Sequence, residues 1–205
     1  MLFDFANLAP GLAYKLLTST VVPRPIAWVV TQDLAGKRNA APFSFFNIFS
    51  GDPPIVCLGI GSREDGTPKD SAAAILESGD FVINLVSQDM AQAMNVTAIA
   101  YPRHVDELAE AGLETLPSAR VRPPRIAASP VALECEKIEV LSLEQGHHLV
   151  IGRVLALHVR DEAVLDRAQG RIDTPALHLI GRMHGGGVYV RLTDMFEMPR
   201  LPVPK

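Results

Sequence analysis

Sixteen prolines are scattered through 205 residues, from Pro10 to Pro204, and they limit the fold more than any other feature. Each removes a backbone donor and cannot sit comfortably inside a helix. A bundle of long helices is therefore excluded, and the chain must consist of short elements joined by turns. Between the prolines the pattern is that of strands. Ile26 to Thr31 is a β-branched and aromatic run, Asp33-Leu34-Ala35-Gly36-Lys37 reads as a hairpin turn, and Asn39 to Phe46 returns. Ile55 to Ile60 follows Pro53-Pro54, and Phe81 to Val86, Leu149 to Val159 and Gly187 to Leu192 are further strand candidates. In Val131 to Leu143 the apolar residues first fall at odd numbers and, after Lys137, at even ones. Such a slip flips faces and predicts a bulge near Lys137.

Helices are expected to be few and short. One would take Thr67 as cap and Pro68 as its first residue, and stop before Gly79. Ser87 would cap a second, and a third would cover about Val105 to Ala111. Many strands with few helices predict a mainly β fold, a closed or partly closed barrel decorated with helices, in one domain over residues 1–205. The tail from Met198 to Lys205 is expected to run extended over a surface.

Several functional classes fall away. With 48% hydrophobic residues the chain is too apolar to be disordered. A net charge of −4 makes a broad polyanion-binding surface unavailable, so no nucleic-acid partner is expected. Cys57 and Cys135 form no CxxC pair, and a reduced, structural role is expected for both. No basic region and apolar core open the chain, and no apolar run approaches ~20 residues, so a cytoplasmic protein without membrane partners is expected. Gly59-Ile60-Gly61 lacks the third glycine of a dinucleotide loop, since position 64 is Glu64. P-loop, HExxH and GxSxG motifs are absent, and the six histidines show no metal-ligand spacing. His147 and His148 are adjacent, so on a strand they face opposite sides.

Three segments suggest chemistry. Arg24 lies between Pro23 and Pro25 ahead of a buried-looking strand, as either an anion or carbonyl clamp or a solvated arginine at a rigid turn. Asn39-Ala40-Ala41-Pro42-Phe43-Ser44-Phe45-Phe46-Asn47 mixes amides and a hydroxyl with flat apolar side chains. A planar heteroaromatic ligand wants that mixture, although an amphipathic strand would also carry it. Ser62, Arg63, Lys69 and Ser71 surround a helix start, where backbone N–H groups, the helix dipole, cations and hydroxyls make a phosphate cradle. A flat surface with polar edges beside a phosphate cradle describes a flavin mononucleotide site.

These segments carry a resemblance. Leu17 to Val29 with its Pro23-Arg24-Pro25-Ile26-Ala27-Trp28 core, Asn39 to Phe46, Pro53-Pro54 and Lys69-Asp70-Ser71 resemble the flavin reductase-like, FMN-binding split-barrel family. Phe81 to Asn84, Ser129-Pro130, Glu134-Cys135 and Gly146-His147-His148 leading to Gly152-Arg153-Val154 add to it, and within the family the chain is similar to the flavoredoxin branch. The resemblance implies an antiparallel Greek-key split barrel, a homodimer with FMN near the subunit interface, and NAD(P)H as co-substrate. It implies that Arg24, Pro25, Ile26, Ala27, Asn39, Ser44, Phe45 and Asn47 line the flavin ring and ribityl chain, and that Ser62, Arg63, Lys69 and Ser71 hold the phosphate. It places His148 at the nicotinamide, orienting it or relaying a proton, and Tyr189 as a closing residue from the partner subunit. His147 and Ser71 stand where relatives often have Asp or Thr and Thr respectively. The activity implied is NAD(P)H:FMN oxidoreduction, serving a monooxygenase or electron-transfer partner. The alternatives are an electron-transfer flavoprotein reduced by a protein partner and a non-catalytic flavin-binding module.

Overall fold

Seven antiparallel strands form the main sheet in a computed structural model that describes residues 1–201. They are β1 (Ala27–Gln32), β2 (Arg38–Phe43), β3 (Phe46–Gly51), β4 (Pro54–Ile60), β5 (Asp80–Leu85), β6 (Val131–Ser142) and β7 (His148–Val159). Their spatial order is β2-β1-β5-β6-β7-β4-β3. The two edge strands, β2 and β3, are consecutive in the chain and separated only by Ser44 and Phe45. A three-step connection reaches at most roughly 11 Å. The sheet must therefore curl until its two edges almost meet, although no ladder joins them. The result is a split barrel.

The strand expectations match closely, with two differences: the candidate Gly187 to Leu192 shortens to Tyr189–Arg191, which pairs with Ile180–Arg182 outside the main sheet, and the return strand after the hairpin is split. The return strand is not continuous from Asn39 to Phe46: β2 ends at Phe43, and β3 begins at Phe46 on the opposite edge. Pro42 sits near the end of edge strand β2, where a missing donor is tolerated. The expected slip in β6 is present as register shifts at Glu134/Cys135 and at Lys137/Glu139.

The sheet is apolar on both faces, which is why β1 reads as an unbroken hydrophobic run. Ala27 and Val29 join Leu58, Ile60, Phe81, Ile83 and Val150 inside the barrel, while Trp28 and Val30 join Val82, Met90, Met94, Leu108 and Ile126 outside it. Trp28 is fully buried and its indole N–H donates to Thr97 Oγ1 at 2.8 Å. Gly152 gives the Phe81 ring its space, for a Cβ there would lie 2.5 Å from Phe81 Cζ.

Among the described residues four α-helices decorate the barrel: α1 (Leu12–Thr20), α2 (Asp70–Ser78), α3 (Ala91–Val96) and α4 (Glu107–Glu110). The sequence does not announce α1, because the Thr18-Ser19-Thr20 stretch weakens its helical signal. α2 starts at Asp70 rather than Pro68, with Lys69 in the cap position. Thr67 does not cap it: its hydroxyl and N–H both donate to Asp65 Oδ1 within a tight turn. The end is as expected, with Gly79 in the left-handed conformation at φ +82°. Ser87 precedes a short 3-10 turn, Gln88–Met90, and its hydroxyl donates to Asp89. Asp106 caps α4 by accepting from the Leu108 N–H. The stretch 198–201 is exposed without regular structure, and the rest of the predicted extended tail, Pro202 to Lys205, lies outside the described residues. Among the described residues no helix is long and apolar enough to cross a membrane.

Candidate functional site

A cleft of about 730 Å³ opens beside the barrel between β2, the start of α2 and the stretch leading from α3 to α4. Its size is that of a cofactor pocket. Asn39, Ala41, Pro42 and Phe43 supply one wall from β2. Ser62, Arg63, Lys69 and Ser71 supply the other, from the loop after β4 and the first turn of α2. β4 delivers this loop, and an isolated bridge between Ser62 and Pro68 folds it back so that both of its ends reach the cleft. Gly146, at φ +71°, packs under the loop, and a Cβ there would lie 2.5 Å from Gly66 O. The Gly146-His147-His148 motif thus buttresses the loop from below.

This wall brings hydrogen-bond donors and two cations to the cleft, together with the carboxylates of Glu64, Asp65 and Asp70. No side chain caps the N-terminus of α2, so its first N–H groups and the positive end of its dipole face the cleft. Lys69 is exposed and makes no ion pair among the described residues. Arg63 donates to Asp70 Oδ2 at 2.5 Å, yet its Nε is buried without a partner. Asp70 also receives Arg103 Nε at 3.1 Å, so two arginines offset its charge. The donor set of two cations, two hydroxyls and a helix start fits the phosphate and ribityl hydroxyls of FMN.

Thr97, Ala98, Ile99, Ala100, Tyr101 and Glu107 complete the cleft, and sequence reasoning did not assign them to it. Thr97 is fixed by the Trp28 hydrogen bond and by donating to Met94 O at 2.8 Å. Glu107 is 7% exposed and accepts the Ala40 N–H through Oε2 at 3.1 Å. Burial pushes its carboxyl above the ordinary glutamate range, and the Asp70 and Asp106 carboxylates add to that. The one clue in the sequence was an acid followed by Leu108 in a short helical stretch, which reads as an ordinary surface pattern.

Five of the predicted cofactor residues, Asn39, Ser62, Arg63, Lys69 and Ser71, are brought together in this cleft. The others lie elsewhere. Arg24 is 6% exposed, and carbonyls and a hydroxyl occupy its guanidinium. Nη1 donates to Thr18 O at 2.6 Å and Val21 O at 3.3 Å, Nη2 to Met183 O at 2.8 Å, and Nε to Ser44 Oγ at 3.3 Å. Arg24 is therefore a clamp on the protein's own carbonyls, tying α1 to the β2–β3 link and the 183 loop. Arg24, Pro25 and Ile26 line a separate 160 Å³ pocket with Gly181 and Leu192, and Ala27 is fully buried inside the barrel. Phe45 is about half exposed and meets the Tyr14 ring at 6.0 Å. Asn47 is exposed on edge strand β3. Tyr189 stacks under Arg182, whose guanidinium carbon lies 4.6 Å from the ring centre. The two histidines do face opposite sides: His147 reaches Gly61, whereas His148 is 7% exposed, with Nδ1 buried and unpartnered, and does not line the cleft.

Comparison with known proteins shows the family and the fold. A family model described as "Flavin reductase like domain" matches residues 18–186. A protein of Deinococcus radiodurans, described as uncharacterised, is 45% identical over 203 residues, covering 97% of this chain and 89% of its own. The crystal structure of nitrilotriacetate monooxygenase component B from Bacillus cereus superposes with a TM-score of 0.90 at 29% identity, covering 97% of this chain and 98% of that one. The flavoredoxin of Desulfovibrio vulgaris (Miyazaki F) shares the fold, with a TM-score of 0.74 at 20% identity, covering 87% and 91%.

Proposed function

The chain belongs to the flavin reductase-like domain family, and on that premise we propose that it binds FMN and transfers a hydride to it from NADH or NADPH. The observation that carries this reading is the cleft in which Lys69, the unpartnered Nε of Arg63, Ser62, Ser71 and the uncapped start of α2 converge. Bound there, FMN would supply the redox chemistry, accepting a hydride at its N5. Arg63 and Lys69 would neutralise the phosphate, and the α2 N–H groups would orient it. Asn39 and the β2 backbone would present amides to the ribityl chain and ring edge. Phe43, Pro42 and Ile99 would exclude water from the apolar face. No nucleophile is required of the protein. The Bacillus cereus neighbour is component B of a monooxygenase, and this supports an oxygenase partner as the consumer of reduced flavin.

Mixing the flavin-loaded protein with NADH or NADPH without oxygen tests this reading. The expected result is rapid loss of the flavin's visible absorbance. A flavin that stays oxidised with both nicotinamides, yet bleaches with dithionite, would instead make the protein an electron-transfer flavoprotein reduced by a protein partner.

The working unit is proposed to be a homodimer. Ile48 and Phe49 on β3, Leu141 near the end of β6 and Leu143 just after it are exposed apolar side chains, with Phe45 and Asn47 close to the first two in sequence. A second copy of the chain would cover such a surface. Light scattering on the eluting protein should give twice the mass of one chain, and Phe49→Asp should shift it towards the monomer. A monomeric wild type would refute the assembly.

A further inference from the structure

A second cleft, of about 630 Å³, opens at the far end of β7. Three parts of the chain wall it: the segment 125–130, the last residues of β7, and the short hairpin made by Val164–Asp166 and Arg171–Ile172. It shares no lining residue with the cleft beside α2. The exposed leucines at the end of β6 are also remote from it. Leu141 lies opposite Leu149 near the start of β7, and the second cleft begins at Leu157, roughly 25 Å further along that strand.

Each wall contributes one arginine. Arg125 comes from the first segment, Arg160 from just beyond β7, and Arg167 from the tip of the hairpin. That tip is shaped by Asp166, whose Oδ1 accepts from Ala168 N at 2.9 Å and Gln169 N at 3.1 Å. Asp161 and Asp166 line the same cleft, yet among the described residues no carboxylate comes within 4.0 Å of any of the three guanidinium groups. Their other acceptors are poor as well. Arg160 Nη2 reaches Ala128 O at a long 3.4 Å, and Arg125 Nε is buried with no partner. A buried donor without an acceptor is destabilising, and three cations around one space repel one another. An anion that accepts from their forks removes both costs.

The rest of the lining describes the body attached to that anion. Val159 and Ile172 pack against the barrel interior, and Val164 and the exposed Leu157 extend the apolar surface. Ser129 turns its hydroxyl to the Leu85 and Val131 carbonyls, both at 2.8 Å, and His158 points Nε2 at Glu134 Oε1. Recognition of charge therefore falls to the arginines. We propose that this cleft is a second ligand site, which takes a small organic oxyanion: a carboxylate or phosphate monoester carried on a compact apolar body. The charged head meets Arg125, Arg160 and Arg167, and the body lies on Leu157, Val164 and Ile172. Asp161 and Asp166 repel any further negative group, which selects one anionic head over a polyanion. The site stands whether or not the first cleft holds flavin.

The test is calorimetric titration of the full chain with benzoate, with phenyl phosphate and with benzyl alcohol as their neutral counterpart, each with and without excess FMN. At least one anion should bind saturably, at one site per chain, equally well with FMN present, and benzyl alcohol should not. The tighter of the two anions identifies the head as carboxylate or phosphate. Arg160→Gln and Arg167→Gln should each weaken binding about tenfold, as loss of a charge-assisted contact requires. Arg125→Gln should do the same, with a thermal melt to verify that the chain still folds; the two more exposed arginines carry the test if it does not. Arg171→Gln removes the same charge from the same hairpin at a residue that does not line the cleft. It should change binding by no more than about twofold, because solvent and salt screen an exposed charge that touches no ligand. Four results would each overturn the site: no binding of either anion, benzyl alcohol binding as tightly as the anions, an equal loss in Arg171→Gln and Arg167→Gln, or displacement of the bound anion by FMN. The third would show diffuse surface charge, and the fourth would move the anion to the cleft beside α2.

Discussion

The double variant Lys69→Ala/Arg63→Ala is expected to bind FMN about 100-fold more weakly than the wild type, while riboflavin affinity changes no more than a few-fold. Only FMN carries the phosphate, and both cations stand where it would lie. Each charge-assisted contact contributes about 1.5 kcal/mol in a partly exposed setting, and each 1.4 kcal/mol is about tenfold in affinity. The fold should survive. Lys69 is exposed and makes no ion pair among the described residues, and Arg103 remains on Asp70 when Arg63 is removed. Fluorescence titration with the two flavins decides the matter. An equal loss for both would place the phosphate elsewhere.

The largest stability effect is expected far from the cleft, at Glu134. Its side chain is completely buried, and its carboxylate holds down the 119–120 loop by accepting from Ala119 N at 2.8 Å and Arg120 N at 2.6 Å. His158 Nε2 lies 2.5 Å from Oε1. Burial alone would raise the carboxyl's pKa, but these partners outweigh it and hold it below the ordinary glutamate value. Glu134→Gln keeps the volume but turns an amide N–H2 towards backbone donors, at a cost of about 3 kcal/mol. For a chain of this length that corresponds to a melting temperature lower by roughly 6–12 °C. The pH dependence has a definite sign. A carboxyl depressed in the folded state contributes stability that is fully present above its unfolded pKa of ~4.3 and is lost as pH falls through the folded value. Thermal melts of the two proteins should therefore differ most near neutral pH and converge in acid. A constant gap down to acid pH would show that the charge of Glu134 is not what matters.

Local patterns were enough to find the strands, the hairpin at residues 33–37 and the bulge at Lys137, because alternation and turn chemistry are recorded within a few residues of each other. They were also enough to pick out one wall of the cleft. Ser62, Arg63, Lys69 and Ser71 lie within ten positions of one another and announce a helix start. The opposite wall was harder to see. Asn39 was visible as a polar residue in an apolar strand, but its partner Glu107 lies far along the chain and meets it only after the intervening strands and helices are packed. Arg24 shows a different limit. The prolines on either side indicate a constrained arginine, yet nothing in them says that Thr18, Val21 and Met183 will turn their carbonyls towards it. The paired histidines show a third limit. Alternation puts them on opposite faces, but which face looks into the barrel is decided by the register of β7 against β4, where His148 lies opposite Ile60.

The junction of Ser44 and Phe45, which leaves the barrel closed by chain and not by hydrogen bonds, has a thermodynamic consequence. The cleft straddles that seam. Asn39, Ala41, Pro42 and Phe43 lie on edge strand β2, whereas Ser62 and Arg63 follow β4 on the other side. A molecule seated there would act as a rivet across the gap in the cylinder, and cofactor loading would be tied to the rigidity of the whole barrel. At a ligand concentration 100 times the dissociation constant the riveted form gains about 2.7 kcal/mol over the open one. Cells short of flavin would then hold this protein in a looser form, more open to proteolysis, so that its abundance would follow the supply of the cofactor.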